Sequence, residues 1–150
     1  MGARLCCALR GHDRLSLGSG ADAAGRARSR SGGGAGLAAE AFRSLRTALR
    51  FGLIDAKRRS IAITGPTSDA GKSFVSLNLA VVMAQADQSV CLIDADMRRG
   101  ELTRRLGLPD GLSGLSDYLA GDTELDAVLR PAPVGGLSLI PTGIYPPNPS

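Results

Sequence analysis

The 150-residue chain has no tryptophan, 3% aromatic residues and a single histidine. Without aromatic faces it cannot build the base-stacking platform of a single-strand nucleic-acid binder, so no nucleic-acid partner is expected. Its three cysteines, Cys6, Cys7 and Cys91, are an odd number with neither metal-ligand spacing nor a histidine nearby. That pattern excludes a zinc site and a disulfide framework. Cys91 lies in an apolar strand pattern and reads as a small buried thiol in a reducing, cytoplasmic protein. No apolar run approaches the ~18 residues of a membrane span. The start of the chain also lacks the continuous apolar segment of a secretory signal. Met1-Gly2 opens like an N-myristoylation site, but Cys6 stands where that signal needs Ser or Thr.

Excess charge is missing too, once its location is considered. Six arginines (Arg4, Arg10, Arg14, Arg26, Arg28 and Arg30) face only Asp13 and Asp22 within residues 1–36, and this accounts for the whole net charge of +4. Residues 37–150 are neutral. Residues 1–36 are rich in Arg, Gly, Ala and Ser, with no sustained hydrophobic period, and read as a disordered or linker-like basic tail. Residues 37–150 read as the folded unit. With 43% hydrophobic residues overall, the chain can bury a core.

Within that unit, Leu37, Ala38, Ala41, Phe42, Leu45, Ala48, Leu49 and Leu53 recur at three- and four-residue steps, which predicts an amphipathic helix. Its polar side carries Glu40, Arg43, Arg46 and Arg50. Ser60–Gly65 is a short β-branched run that ends in glycine. Gly71–Ala86 has helical spacing, and Ser89–Asp94 is a second, continuously apolar strand of the type covered on both faces. Strand, loop, helix and strand over about 35 residues form a right-handed βαβ unit. Short helices follow at 101–106, 115–119 and 124–129, with a third strand at 136–141. The fold class is therefore α/β, a P-loop NTPase-type parallel sheet with helices on both faces. Three strands fall short of the usual five or six, so the sheet is expected to be truncated at the C-terminus.

Between the first strand and its helix lies Gly65-Pro-Thr-Ser-Asp-Ala-Gly71-Lys72-Ser73. A polyphosphate must be met by many donors without steric obstruction. A glycine-bearing loop that opens onto a helix N-terminus supplies inward-facing N–H groups and a favourable dipole. Gly65 and Gly71 permit the tight path, Lys72 can bridge β- and γ-phosphates, and the Ser73 hydroxyl can take a Mg²⁺ position. ATP and Mg²⁺ are the cofactors this implies. Nucleotide contacts are expected along Thr67-Ser68-Asp69-Ala70-Gly71-Lys72-Ser73-Phe74. Five residues separate Gly65 from Gly71, one more than in the strict pattern.

The second strand runs into Asp94-Ala-Asp96-Met-Arg98-Arg99-Gly100. Ligands of open parallel sheets bind at the carboxyl ends of strands, so Asp94 and Asp96 are expected beside the P-loop. With Ser73, they are the candidate metal-binding residues. One carboxylate would hold Mg²⁺ through water and the other would accept the proton of an attacking hydroxyl. The spacing does not assign which does which. Lys72, Asp94 and Asp96 are the candidate catalytic residues.

From Ala39 to Ser150 these features resemble the bacterial tyrosine kinase family, the cytoplasmic ATPase module of exopolysaccharide and capsule chain-length regulators. Glu40, Arg43 and Arg46 match its Glu-x-x-Arg-x-x-Arg helix. Ile63–Thr67 and Gly71–Ala80 match its Walker A segment, including the five-residue spacing, and Leu92–Gly100 matches its Asp-x-Asp-x-Arg motif. Pro141-Thr-Gly143 and Pro146–Ser150 match the segment that leads to its next helix. Ser68-Asp69-Ala70 departs from the family's loop apex. The family's Walker B strand and its tyrosine cluster have no counterpart in these 150 residues, so a fragment is expected. The resemblance implies ATP-dependent autophosphorylation of tyrosines on a neighbouring subunit of a ring homo-oligomer held through Glu40, Arg43 and Arg46. It also implies a membrane-bound polysaccharide co-polymerase partner and a place at the inner face of the bacterial membrane. Two other readings are a partitioning-type ATPase switch and a catalytically incomplete nucleotide-binding or assembly remnant. Partitioning ATPases carry an extra lysine five positions before the main one, where this chain has Thr67.

Overall fold

A computed structural model describes residues 5–10, 34–56, 59–67 and 70–144, with the side chains of 5–10, 34 and 35 left aside. In chain order the elements are β1 (Leu5–Arg10), α1 (Gly34–Gly52), β2 (Ser60–Ile63), α2 (Lys72–Ala84), β3 (Ser89–Ile93), α3 (Leu102–Arg105), α4 (Leu115–Ala120), α5 (Leu125–Val128), β4 (Arg130–Pro131) and β5 (Leu137–Ile140). The strands form one sheet in the order β2-β1-β3-β5-β4.

β3 is apolar from Val90 to Ile93 because both of its faces are covered there. Val90 and Leu92 join Leu79, Ala80, Val82, Met83 and Ala84 of α2, Leu102 of α3, and Leu137 and Leu139 of β5 in the larger core. Cys91 and Ile140 point the other way and pack with Val128 of α5, against Leu115 of α4 and Leu125. Helices therefore lie on both faces, as expected. Full burial of Leu79, Leu92, Leu137 and Leu139 contributes about 2 kcal/mol each.

α2 is buried on most of its circumference because α1 covers its outer side. Phe42 and Leu49 of α1 pack on the core. The Arg46 guanidinium donates to the carbonyl of Val82 in α2 at 3.0 Å. Arg43 instead pairs with Glu40 at 2.9 Å on an exposed face.

Two findings differ from the sequence reading. The sheet is mixed: β3 and β5 pair in parallel, but β1 runs antiparallel to both β2 and β3, and β4 antiparallel to β5. Structure also begins before Gly36, because Leu5–Arg10 form a strand between β2 and β3. Leu5–Leu9 is a five-residue apolar run, too short for periodicity to reveal, and the Arg/Gly composition that follows conceals it. Ser68, Asp69 and residues 145–150 lie outside the described residues.

Candidate functional site: two loops at one end of the sheet

The loop after β2 closes on itself. A Cβ placed on Gly65 would come within 3.0 Å of the Ala70 side chain and 3.4 Å of Lys72 Cγ. Gly71 has φ +80, a left-handed conformation that other L-residues adopt only at a cost of about 1–2 kcal/mol. From this position α2 starts with no side-chain cap, so its first N–H groups remain donors for an anion at a positive dipole end. Lys72, the first helical residue, is buried, and its Nζ donates to the Thr67 carbonyl at 2.7 Å. The ammonium is thus folded inside the loop it serves. Ser76 Oγ donates to the Lys72 carbonyl at 2.9 Å and fixes the first turn. Ser73, half-buried, occupies the second helical position. The Phe74 ring leans on Phe42 of α1, with ring centroids 5.8 Å apart in an edge contact, so it tethers the loop's helix to α1.

The loop after β3 is built differently. Asp94 is 2% exposed, and both its oxygens are occupied: Oδ1 accepts from the Asp96 N–H at 3.2 Å and Oδ2 from the Leu102 N–H at 3.1 Å. Burial pushes its carboxyl above the usual carboxylate range. The neighbouring charge of Asp96 acts in the same direction, and the backbone N–H groups act against it. Asp96 is only half-buried, and its Oδ1 accepts from the N–H groups of Arg98 (3.2 Å) and Arg99 (3.0 Å). Among the described residues, Asp96 Oδ2 accepts no hydrogen bond.

A third loop braces the second. Thr142, just beyond β5, is buried, and its Oγ1 lies 3.4 Å from the carbonyl oxygens of both Asp94 and Asp96. Asp117 Oδ2 accepts from the N–H groups of Gly114 (2.7 Å) and Ile144 (3.3 Å). Sequence reading picked out Pro141-Thr-Gly143 only as a linking segment and passed over Asp117, because neither lies in a phosphate or carboxylate pattern.

The pairing registers put the two sequence-predicted loops at the same end of the sheet. Leu5 stands opposite Ile63 at the end of β2, and Cys6 opposite Ile93 at the end of β3. β1 lies between them, so the loops are two strand spacings apart, roughly 10 Å. A pocket of about 380 Å³ lies at the opposite end, lined by Thr47, Arg50, Phe51, Leu53, Ile54, Arg59, Met83 and Gln88. It contains neither the helix N-terminus nor the buried ammonium, so the phosphate chemistry does not reside there.

The donor set fits Mg²⁺. Among the described residues, no group of three or more His, Cys, Asp or Glu side chains could hold a metal. Mg²⁺ usually takes one or two protein oxygens, with waters and substrate phosphates completing its shell. Asp96 Oδ2 and the Ser73 hydroxyl are hard oxygens of that kind. Asp94 is a poorer ligand because both its oxygens are already used.

A nucleotide-type P-loop at the carboxyl ends of sheet strands defines the class, and residues 61–118 match the CobQ/CobB/MinD/ParA nucleotide binding domain. The chain is 48% identical over 113 residues to the tyrosine-protein kinase etk of Escherichia coli K12, a span that covers 75% of this chain and 15% of that protein. Among solved structures, the BceF tyrosine kinase domain superposes with a TM-score of 0.66 at 47% identity, covering 75% of this chain and 44% of that one. The kinase domain of the Escherichia coli tyrosine kinase ETK gives a TM-score of 0.67 at 43% identity, with 74% and 43% coverage. The chain belongs to the bacterial tyrosine kinase family. It spans about 15% of the length of the curated relatives it matches, all of it within their kinase domain.

Proposed function

We propose that this chain binds ATP with Mg²⁺ as the nucleotide-binding part of an autophosphorylating protein-tyrosine kinase that regulates exopolysaccharide synthesis. The observation that carries this reading is the closed P-loop, with the Lys72 ammonium held over the Thr67 carbonyl at the uncapped start of α2. On arrival of a triphosphate, Lys72 exchanges that carbonyl for phosphate oxygens, and the backbone N–H groups at 70–73 receive the remaining charge. Mg²⁺, when bound, neutralises charge that develops on the phosphates. Asp96 and Ser73 hold the metal side of the site. Asp94 positions Asp96 through its backbone, which favours Asp96 over Asp94 as the residue that meets metal or substrate.

The protein substrate in this reading is a tyrosine-bearing segment of a neighbouring subunit. Glu40 and Arg43, exposed on α1, are available for a ring contact. Arg46 supports such a contact indirectly by holding α1 on α2. No helix among the described residues is long and apolar enough to cross a membrane. The proposed setting is the cytoplasmic face of the membrane, beside a polysaccharide co-polymerase. Calorimetric titration with ATP and Mg²⁺ tests the nucleotide site: saturable binding is expected, and Lys72→Ala removes it.

A further inference from the structure

The Asp96 loop is not held by its own strand alone. Thr142 reaches it from the end of β5, 48 residues away from Asp94 in sequence, and its hydroxyl lies 3.4 Å from each of two carbonyl acceptors of that loop, those of Asp94 and Asp96. Gly100 is the counterpart on the loop. A Cβ there would approach Thr142 Oγ1 to 2.1 Å, Thr142 Cβ to 3.0 Å and Asp94 Oδ2 to 3.3 Å. The absence of a side chain at position 100 is thus what lets the loop close on the threonine. Thr142 in turn is fixed by its surroundings: the Leu115 N–H donates to the Pro141 carbonyl at 2.8 Å and the Ser116 N–H to the Thr142 carbonyl at 2.9 Å. Asp117 holds the same turn through Ile144.

We propose that Thr142 is a positioning residue, which sets the distance of Asp96 from the P-loop and so tunes the affinity for metal-bound nucleotide without touching the nucleotide. Thr142 is tied to the Asp94 and Asp96 carbonyls, and Asp94 Oδ1 in turn accepts from the Asp96 N–H, so a displacement at Thr142 is passed to the backbone that carries the Asp96 carboxylate. The inference rests on the nucleotide-site reading above. It adds that the turn after β5, remote from both loop motifs in sequence, controls the metal-dependent part of binding.

The test compares ATP binding by calorimetry, with Mg²⁺ and with EDTA, in the intact chain and in Thr142→Val, Thr142→Ser and Gly100→Ala. Thr142→Val keeps the shape and removes the hydroxyl; Gly100→Ala pushes on the same contact from the other side. Both are expected to weaken Mg²⁺–ATP binding by about tenfold or more, the usual effect of losing an outer-shell support. Metal-free ATP binding stays within about twofold, and Thr142→Ser restores the Mg²⁺ effect. Equal loss with and without metal, or wild-type Mg²⁺–ATP affinity in Thr142→Val and Gly100→Ala, overturns the inference. If wild-type affinity persists in those variants while Lys72→Ala abolishes binding, only this inference fails. If the unmodified chain binds no ATP, the nucleotide-site reading fails with it.

Discussion

The two loops on either side of β1 are built in opposite ways. The P-loop follows an edge strand; Pro66, Thr67, Ala70 and Gly71 are exposed, and it leads into a helix start without a side-chain cap, whose N–H groups are the proposed anion donors. The Asp94–Gly100 loop follows an interior strand and buries one carboxylate to hold another. A phosphate can be gripped by backbone from any sequence whose φ/ψ path is right, so that loop can stay open. A carboxylate at a defined place needs a second group to fix its backbone, and Asp94 is spent on that. Of the two aspartates, one is buried as scaffold and the other, in the proposed reading, meets the ligand.

This contrast predicts that stability and binding separate between the loops. Asp94→Ala leaves the buried N–H groups of Asp96 and Leu102 without acceptors and should cost about 3 kcal/mol, read from denaturant unfolding. Lys72→Ala, by comparison, should cost less, about 1 kcal/mol, because the bond from Nζ to the Thr67 carbonyl leaves behind an acceptor on an exposed residue that water can reach. A larger stability loss at Lys72 than at Asp94 would break the comparison. Gly71→Ala comes next, at about 1–2 kcal/mol, since its φ of +80 must be kept or the start of α2 shifts. ATP affinity should fall with it, whereas a variant with normal binding would show that the left-handed turn is dispensable.

The smallest effect is in the pH dependence. Asp94 is pushed above its ordinary value of 3.8, chiefly by burial, so the folded state binds a proton there more tightly than the unfolded chain does. Its contribution to stability is then fully present below the unfolded value and is lost as pH rises through the raised folded value. Unfolding free energies measured across that window should show this decline in the wild type and not in Asp94→Asn. A contribution that grows with pH in the same window would mean that the two backbone N–H groups outweigh desolvation.

What could be read from sequence follows the same division. The P-loop was legible because glycine and lysine spacing encodes a backbone path directly, α1 and α2 because their apolar residues recur at helical steps, and β2, β3 and β5 because each is a short apolar run bounded by turn residues. The different surroundings of Asp94 and Asp96 were not, since two aspartates in an Asp-x-Asp pattern look alike until Leu102 and Thr142 close over one of them. Arg46 looked like a surface partner of Glu40 and Arg43 at helical spacing, yet it reaches across to Val82, a contact that needs α2 in place. β1 escaped notice because its apolar run is followed directly by Arg- and Gly-rich sequence and reads as part of it, and β4, two residues long, carries no pattern at all.

In the proposed function, the loop that begins at Gly65 captures a triphosphate through Lys72 and the start of α2. Titration of the purified chain with ATP in the presence of Mg²⁺, beside Lys72→Ala, tests it most directly. Saturable binding by the wild type that disappears in the variant, with the fold retained, is the predicted result; equal affinity in the two proteins would contradict it.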